Sequence, residues 1–404
     1  MFKASFLYML GEVFSKAIPF LLLPYLTRVL GPAGYGELSL YQVIAALLIV
    51  ALSLSQDGAV ARYYYAYGKR AIGLINFTGV LYSSVIYLII CVVSFVTASE
   101  ILFVCASVSY TQSIISNQLT IRQMQRKVKE YLYIQVFNSL FSAFLTVLLF
   151  EIFNASALGR LYIVMLVNLL TIILAVMVVA GGASESFRKV RINRKKIKIS
   201  LLFILSFGTP LIIHNLSLFS KGQLDRVFVY NLYSEEQLGL YSVGFQIASI
   251  LAIILMAAQK SLTPYYFEAL KKKSLEFCDI RKLLFYIIIV IPLPAILAYM
   301  LPSSVYAYVF GDNFVESKVY ACIFLLGIAM NAPYFLLANY LFYHGKTVAV
   351  SIGTGVSSAL HIVLIATLGS SNLKMMAFTL FITNSFTICL IYFFCRRYSQ
   401  GLQK

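Results

Sequence analysis

Apolar runs long enough to cross a bilayer follow one another along almost the whole chain, with short polar connections between them. A hydrocarbon layer about 30 Å thick takes roughly 20 apolar residues in one helix. About twelve runs meet that length, near 6–29, 37–61, 73–97, 101–121, 131–150, 157–181, 200–222, 239–260, 283–302, 318–342, 347–368 and 375–395. The pattern predicts an all-α integral membrane protein of about 12 transmembrane helices, without a soluble domain. The first run is too long for a signal peptide and carries Glu12 and Lys16, so it is expected to remain as a span.

Composition excludes the ordinary soluble classes: of 404 residues, 61% are hydrophobic and only 12% charged. The net charge of +17 would suggest a nucleic-acid partner in a soluble protein, so its distribution decides. The basic residues crowd into every second connection: Lys3; Arg62, Lys69 and Arg70; Arg122, Arg126, Lys127 and Lys129; the run from Arg188 to Lys198; Lys260, Lys271 to Lys273, Arg281 and Lys282; Lys346; Arg396, Arg397 and Lys404. The alternate connections hold only Arg28, Arg160, Lys221, Arg226, Lys318 and Lys374. The positive-inside rule then puts both termini in the cytoplasm, and an even number of spans agrees; the expected location is the cell inner membrane. The runs RKVRINRKKIK and KKK are topology anchors that touch anionic membrane lipids. No nucleic-acid partner is expected, because aromatic interleaving and a groove-sized helix are missing. The cysteines show no metal-ligand spacing and read as packing residues. No metal or other cofactor is expected.

A weak internal repeat divides the chain. Setting Gly36 against Gly239 without gaps gives identities at Gly36, Ser39, Ile44, Ala45, Leu48, Leu52, Gln56 and Tyr63. Both copies have the same parity relative to the membrane, so the repeat is a parallel duplication. The expected organisation is a six-helix bundle over 1–182, a basic cytoplasmic linker over 183–199 and a second six-helix bundle over 200–404.

Ionisable groups inside a span are expensive unless paired or wet. Glu12 and Lys16 lie about 9 and 15 Å into the first span at 1.5 Å per residue, on one face. They read either as an internal ion pair that stabilises packing or as a cavity-lining pair that meets an anionic substrate. Polar stripes at helical spacing occur in four spans: Ser109, Ser113, Ser116, Asn117 and Thr120; Gln135, Asn138, Ser142 and Thr146; His214, Ser217 and Lys221; Ser351, Thr354, Ser358 and His361. Each is explained by helix-to-helix hydrogen bonding; four together point to a hydrated central cavity. His214 and His361 titrate near neutrality, so they are either interhelical histidines or carriers of a coupling proton. In the repeat, Gln56-Asp57 aligns with Gln259-Lys260. Asp57 and Lys260 could therefore pair as an inner gate, the alternative being two separately solvated charges.

The stretch TRVLGPAGYGELSLY, Thr27 to Tyr41, must reverse the chain in about six residues, and Gly31, Pro32, Gly34 and Gly36 suit such a turn. Arg28 is expected at the outer mouth with Arg226 as its counterpart; snorkelling to lipid phosphate is the alternative.

PFLLLPYLTRVLGPAGYGELSL, Pro19 to Leu40, resembles the amino-terminal signature of the Wzx-type O-antigen and capsule-unit flippases, within the multidrug/oligosaccharidyl-lipid/polysaccharide (MOP) superfamily. QLDRVFVYNLYSEEQLGLYSVGFQIA, Gln223 to Ala248, looks like the start of their second half. The resemblance implies a MATE-like fold of two six-helix bundles around a central cationic cavity. It implies a flippase, not an enzyme, that carries polyprenyl-diphosphate-linked oligosaccharide repeat units from the cytoplasmic to the periplasmic leaflet by alternating access. A polysaccharide polymerase and glycosyltransferases would be its pathway partners. Arg28, Asp225 and Arg226 stand at matching motif positions. Family members often place several basic residues deep in the cavity, whereas here only Lys16 is central. The candidate translocation residues are thus Glu12, Lys16, Arg28, His214, Lys221, Asp225, Arg226 and His361. A MATE-like multidrug or cation antiporter is the nearest rival; a peptidoglycan-precursor flippase generally has further carboxy-terminal spans. A membrane-embedded polymerase or glycosyltransferase would call for a large periplasmic loop or an acidic metal site, and the sequence has neither. No phosphate-binding G-x-x-x-x-G-K-[ST] loop is present.

Overall fold

The computed structural model describes the backbone of residues 2–68, 72–181 and 193–402, and the side chains of residues 11, 13–64, 67–68, 72–177 and 193–400. Every regular element among them is helical. The amino-terminal half contains α1 (Phe2–Ser53), α2 (Gln56–Tyr67), α3 (Ile72–Val96), α4 (Glu100–Met124), α5 (Val128–Ile152) and α6 (Ala157–Gly181). Then come α7 (Arg194–Leu232), α8 (Glu235–Lys271), α9 (Phe277–Val290), α10 (Leu293–Met300), α11 (Ser303–Phe310), α12 (Ser317–Ala329), α13 (Asn331–Tyr343), α14 (Thr347–Leu368) and α15 (Leu373–Leu402). Ten helices among the described residues are long and apolar enough to cross a membrane. The first of these holds two of the expected spans, and α4 supplies the twelfth, being long enough at 25 residues but too rich in Ser, Thr, Asn and Gln to pass on apolarity. The protein is a multi-pass membrane protein.

Three local features differ from expectation. First, no six-residue connection follows Val29: two helical segments meet at a kink at Gly31, the one residue with non-helical angles inside α1, at φ 66° and ψ 179°, a region open essentially only to glycine. Pro32 then opens the next helical segment, where its missing N–H costs nothing. Second, the span expected over 37–61 breaks at Leu54 and Ser55, both left-handed at φ 44° and 52°. Third, α7 runs on to Leu232 rather than ending near 222. Asp225 and Arg226 therefore lie inside a helix, with Tyr241 bonded to Asp225 and the Phe245 ring beside Arg226 on the next one.

Clustering of contacts divides the chain into two units: Met1–Leu30 with Glu37–Phe219, and Gly31–Gly36 with Ser220–Lys404. In the first unit the break in α1 is held by amides and hydroxyls. Buried Gln56 donates from Nε2 to Ser83 Oγ at 2.9 Å, Ser83 Oγ donates to the Leu52 carbonyl at 2.7 Å, and Asn117 Nδ2 donates to Gln56 Oε1 at 2.7 Å. Asn215 Nδ2 adds a bond to Ser55 Oγ at 2.9 Å. Leu54, Val60, Ile75, Ile121 and Ile204 pack around this knot.

The second unit is built on α8, whose amino end is capped by Ser234 accepting from the Gln237 N–H at 3.2 Å. Tyr241 and Phe245 of α8 meet Phe324 of α12 edge-on, at centroid separations of 4.9 and 5.1 Å. The stretch 302–318, expected as a connection, contains α11 and a 3-10 turn at Asp312–Phe314 whose Phe314 is buried against Tyr35.

Candidate functional site

Four of the expected site residues converge in the second unit. Lys221, Asp225 and Arg226 follow one another along α7, and His361 lies on α14. Asp225 and Arg226 are buried, as is His361. Tyr241 of α8 donates its hydroxyl to Asp225 Oδ2 at 2.6 Å, while Asp225 Oδ1 accepts the Arg226 N–H at 3.0 Å. The Arg226 guanidinium lies 4.3 Å from the centre of the Phe245 ring and donates to Gln223 Oε1 at 3.2 Å. Lys221 Nζ donates to Thr387 Oγ1 of α15 at 3.2 Å, and His361 Nδ1 shares a hydrogen bond of 3.0 Å with Thr383 Oγ1 one turn away. Asp225 and Lys221 are the charged neighbours of the His361 ring.

The cluster has an acid, an arginine, a lysine and an imidazole in a setting where unmet polar atoms are costly. Among the described residues, His361 Nε2 and Arg226 Nε are buried without a hydrogen-bond partner. Buried polar atoms are nearly always satisfied by protein, water or ligand. The described residues themselves supply no hydrogen-bond partner to these two nitrogens, nor to the Nε of Arg122 in the first unit.

Of the remaining expected residues, all but Lys260 belong to the first unit. His214 is exposed on α7 within the first unit, and Lys16 and Arg28 are exposed on α1. The side chain of Glu12 lies outside the described residues, so the pairing of Glu12 with Lys16 does too. Asp57 and Lys260 are each exposed in their own unit.

The polar stripes of the fourth and fifth spans are used in packing the first unit. Ser109 Oγ donates to the Ala45 carbonyl at 2.8 Å. Asn138 Nδ2 donates to Asn168 Oδ1 and Thr171 Oγ1, both at 3.0 Å, and Asn168 Nδ2 to Thr111 Oγ1 at 3.1 Å. Helices in lipid gain little from apolar contact with one another, so short polar side chains supply the specificity.

Two arginines that charge counting treated as membrane-edge residues are part of this framework. Arg160 at the start of α6 donates to Ser142 Oγ at 3.0 Å and Thr146 Oγ1 at 2.7 Å. Arg122 is 1% exposed and donates to Gln118 Oε1 at 2.6 Å and to the Ala175 carbonyl at 2.8 Å. Nothing in a count of basic residues per connection distinguishes them from surface anchors. The one available signal was the Ser142–Thr146 pair, four residues apart on the face that Arg160 meets.

Residues 1–270 match the family described as "Polysaccharide biosynthesis protein", and residues 210–367 match the MatE family. A protein of Haemophilus influenzae described as "Lsg locus putative protein 1" is 37% identical over 405 residues, covering 99% of each chain. An uncharacterized membrane protein of the same organism is 38% identical over 365 residues, covering 89% of this chain and 88% of its own. Among solved structures, the lipid II flippase MurJ in an inward closed conformation superposes with a TM-score of 0.70 at 11% identity, covering 96% of this chain and 87% of its own. An inward-facing multidrug resistance MATE transporter gives 0.67 at 12% identity, covering 96% and 95%. The fold is that of the MOP superfamily of membrane transporters. The chain belongs to the polysaccharide biosynthesis protein family.

Proposed function

We propose that the protein is a flippase that moves polyprenyl-diphosphate-linked oligosaccharide repeat units, of an O-antigen or a capsule, from the cytoplasmic to the periplasmic leaflet by alternating access. The observation that carries this reading is the match of residues 1–270 to a polysaccharide biosynthesis family on a fold shared with a lipid II flippase. Such a substrate needs a carrier: its prenyl tail is at home in lipid, but its sugars and diphosphate lose their hydration on entering hydrocarbon. Outward movement of two negative charges across an inside-negative potential of about 100 mV is favoured by roughly 4.6 kcal/mol, at about 2.3 per charge.

In this reading Lys221, Arg226 and His361 present donors to the anionic or hydroxylic part of the headgroup, and Asp225 holds Arg226 and Tyr241 in place. The unsatisfied nitrogens of His361 and Arg226 support that assignment. Glu12, Lys16, Arg28 and His214 are proposed to line the path, and Asp57 and Lys260 to act in gating. Glycosyltransferases would complete the repeat unit before transfer and a polymerase would consume it afterwards, with no bond made or broken by this chain. Deleting the gene is expected to leave lipid-linked repeat units accumulating in the cytoplasmic leaflet and to remove the surface polysaccharide; normal surface polysaccharide without accumulation contradicts the proposal.

The MatE match over residues 210–367 favours a second reading, a multidrug or cation antiporter. Expression that lowers the retention of cationic dyes in cells, with no effect on lipid-linked sugars, would select it.

A further inference from the structure

The second unit has a cleft where the segment after α8, the start of α9, the end of α13 and the end of α15 come together. The intervening crossings are even in number, so these segments share the side to which the charge pattern assigns the cytoplasm. The cleft has a volume of about 600 Å³. Lys273, Arg281 and Arg396 stand around it with Glu276 as the one acidic side chain of its lining. Glu276 is engaged in a capping box with Asp279, whose carboxylate accepts the Glu276 N–H at 3.1 Å. Among the described residues none of the three cations forms an ion pair with a carboxylate; Arg281 has only the Cys278 sulfur, at 3.9 Å.

The floor is rigid and aromatic. Phe277 packs against Tyr340 and Tyr392 at centroid separations of 5.5 and 6.1 Å, and His344 lies edge-on to Tyr340 at 4.7 Å. Beneath them Ile280, Leu337, Leu341, Ile391 and Cys395 form a buried core. Burial pushes the His344 pKa below its ordinary value, so the ring is neutral at physiological pH and the positive charge of the cleft comes from the lysine and the two arginines. Three exposed cations around one cleft, none paired with a carboxylate among the described residues, repel one another. A multivalent anion with several acceptor oxygens relieves it, and guanidinium groups suit phosphoryl oxygens in particular.

We propose that this cleft is a binding site for a phosphoryl anion, held by Arg281, Arg396 and Lys273 over the aromatic floor. Two sources have that chemistry: an anionic phospholipid headgroup of the adjacent leaflet and a soluble phosphate of the cytoplasm. The site is separate from the buried cluster of Lys221, Asp225 and His361.

Cys278 lines the cleft and is exposed, so its reaction with a water-soluble maleimide reports occupancy without any transport assay. The test uses the full chain carrying Cys389→Ser, which removes the other exposed thiol, in nanodiscs. One arm adds pyrophosphate to phosphatidylcholine nanodiscs, with chloride at equal ionic strength as its control. The other compares phosphatidylglycerol with phosphatidylcholine nanodiscs. Protection of Cys278 in either arm is expected, and the protecting arm identifies the source. Arg281→Gln with Arg396→Gln should weaken protection about a hundredfold in concentration, at tenfold for each charge-assisted contact. Ser399→Trp, which fills the cleft without changing its charge, should abolish it and serves if the double variant fails to fold. Lys195→Gln with Lys196→Gln removes two exposed charges elsewhere and should leave protection intact. Protection in neither arm, equal protection by chloride, or protection unchanged in both cleft variants overturns the proposal.

Discussion

Gly36 packs against the backbone of Gly239, and Gly239 against that of Pro32, at the two positions that the internal repeat makes equivalent. A Cβ on Gly36 would strike the Glu235 carbonyl and come within 3.1 Å of the Gly239 nitrogen, and a Cβ on Gly239 would strike the Pro32 carbonyl. The obstacles are backbone atoms, which cannot swing aside as a side chain could. Gly36→Ala and Gly239→Ala should therefore each destabilise the folded protein by about 1–3 kcal/mol, as overpacking does, seen as a lower midpoint in thermal unfolding in detergent. Gly31 differs: a Cβ there meets nothing within 4 Å, so Gly31→Ala should show only the backbone penalty of its φ, about 1–3 kcal/mol.

The break at Leu54 and Ser55 depends on Gln56. Gln56→Leu keeps the volume but strands the buried Asn117 amide and one partner of Ser83, so a loss of about 2–3 kcal/mol is expected. Gln56→Leu combined with Asn117→Leu should lose less than Gln56→Leu alone, because no buried donor is then left unmet. Denaturation of the single and double variants side by side measures the difference.

Arg160 is bound to Ser142 and Thr146, and removing its acceptors leaves a cation without partners. Ser142→Ala with Thr146→Val should consequently destabilise the first unit more than the same pair with Arg160→Met added, since an unpaired buried charge costs more than its replacement by an apolar group. Thermal midpoints in detergent rank the two variants.

Within the buried cluster, Asp225→Asn removes the negative charge and leaves one carbonyl oxygen where two oxygens accept from the Tyr241 hydroxyl and the Arg226 backbone N–H, whereas Tyr241→Phe removes only one hydrogen bond. Restoration of surface polysaccharide in a deletion strain should fall most for Asp225→Asn and Lys221→Met, and least for Tyr241→Phe, at matched membrane levels of protein.

The spans were legible because lipid imposes its own length on apolar sequence, and even α4, too polar for a hydropathy threshold, was recognisable by its length. What terminates or bends a helix was less so. Leu54 and Ser55 carry no glycine or proline to announce the break, and α7 continues through Asp225 and Arg226 because Tyr241 and Phe245, on the next helix, receive them. The polar positions of the second unit pointed to Lys221 and His361, and the family resemblance to Asp225 and Arg226, yet Thr387 and Thr383, the partners of Lys221 and His361, lie on α15, and no periodicity within one helix pairs residues across two. For Arg122 and Arg160 the rule that assigns the cytoplasmic side treats each basic residue alike, so it could not separate a buried hydrogen-bond donor from a lipid anchor.

The most direct test of the flippase assignment is made on purified protein in proteoliposomes containing a fluorescent polyprenyl-diphosphate-linked oligosaccharide. A membrane-impermeant glycosidase added outside reads which leaflet the headgroup occupies. The account predicts that the wild-type protein carries the protected half of the substrate to the enzyme, and that Lys221→Met slows this. A protected half that stays protected for as long as in protein-free vesicles would contradict it.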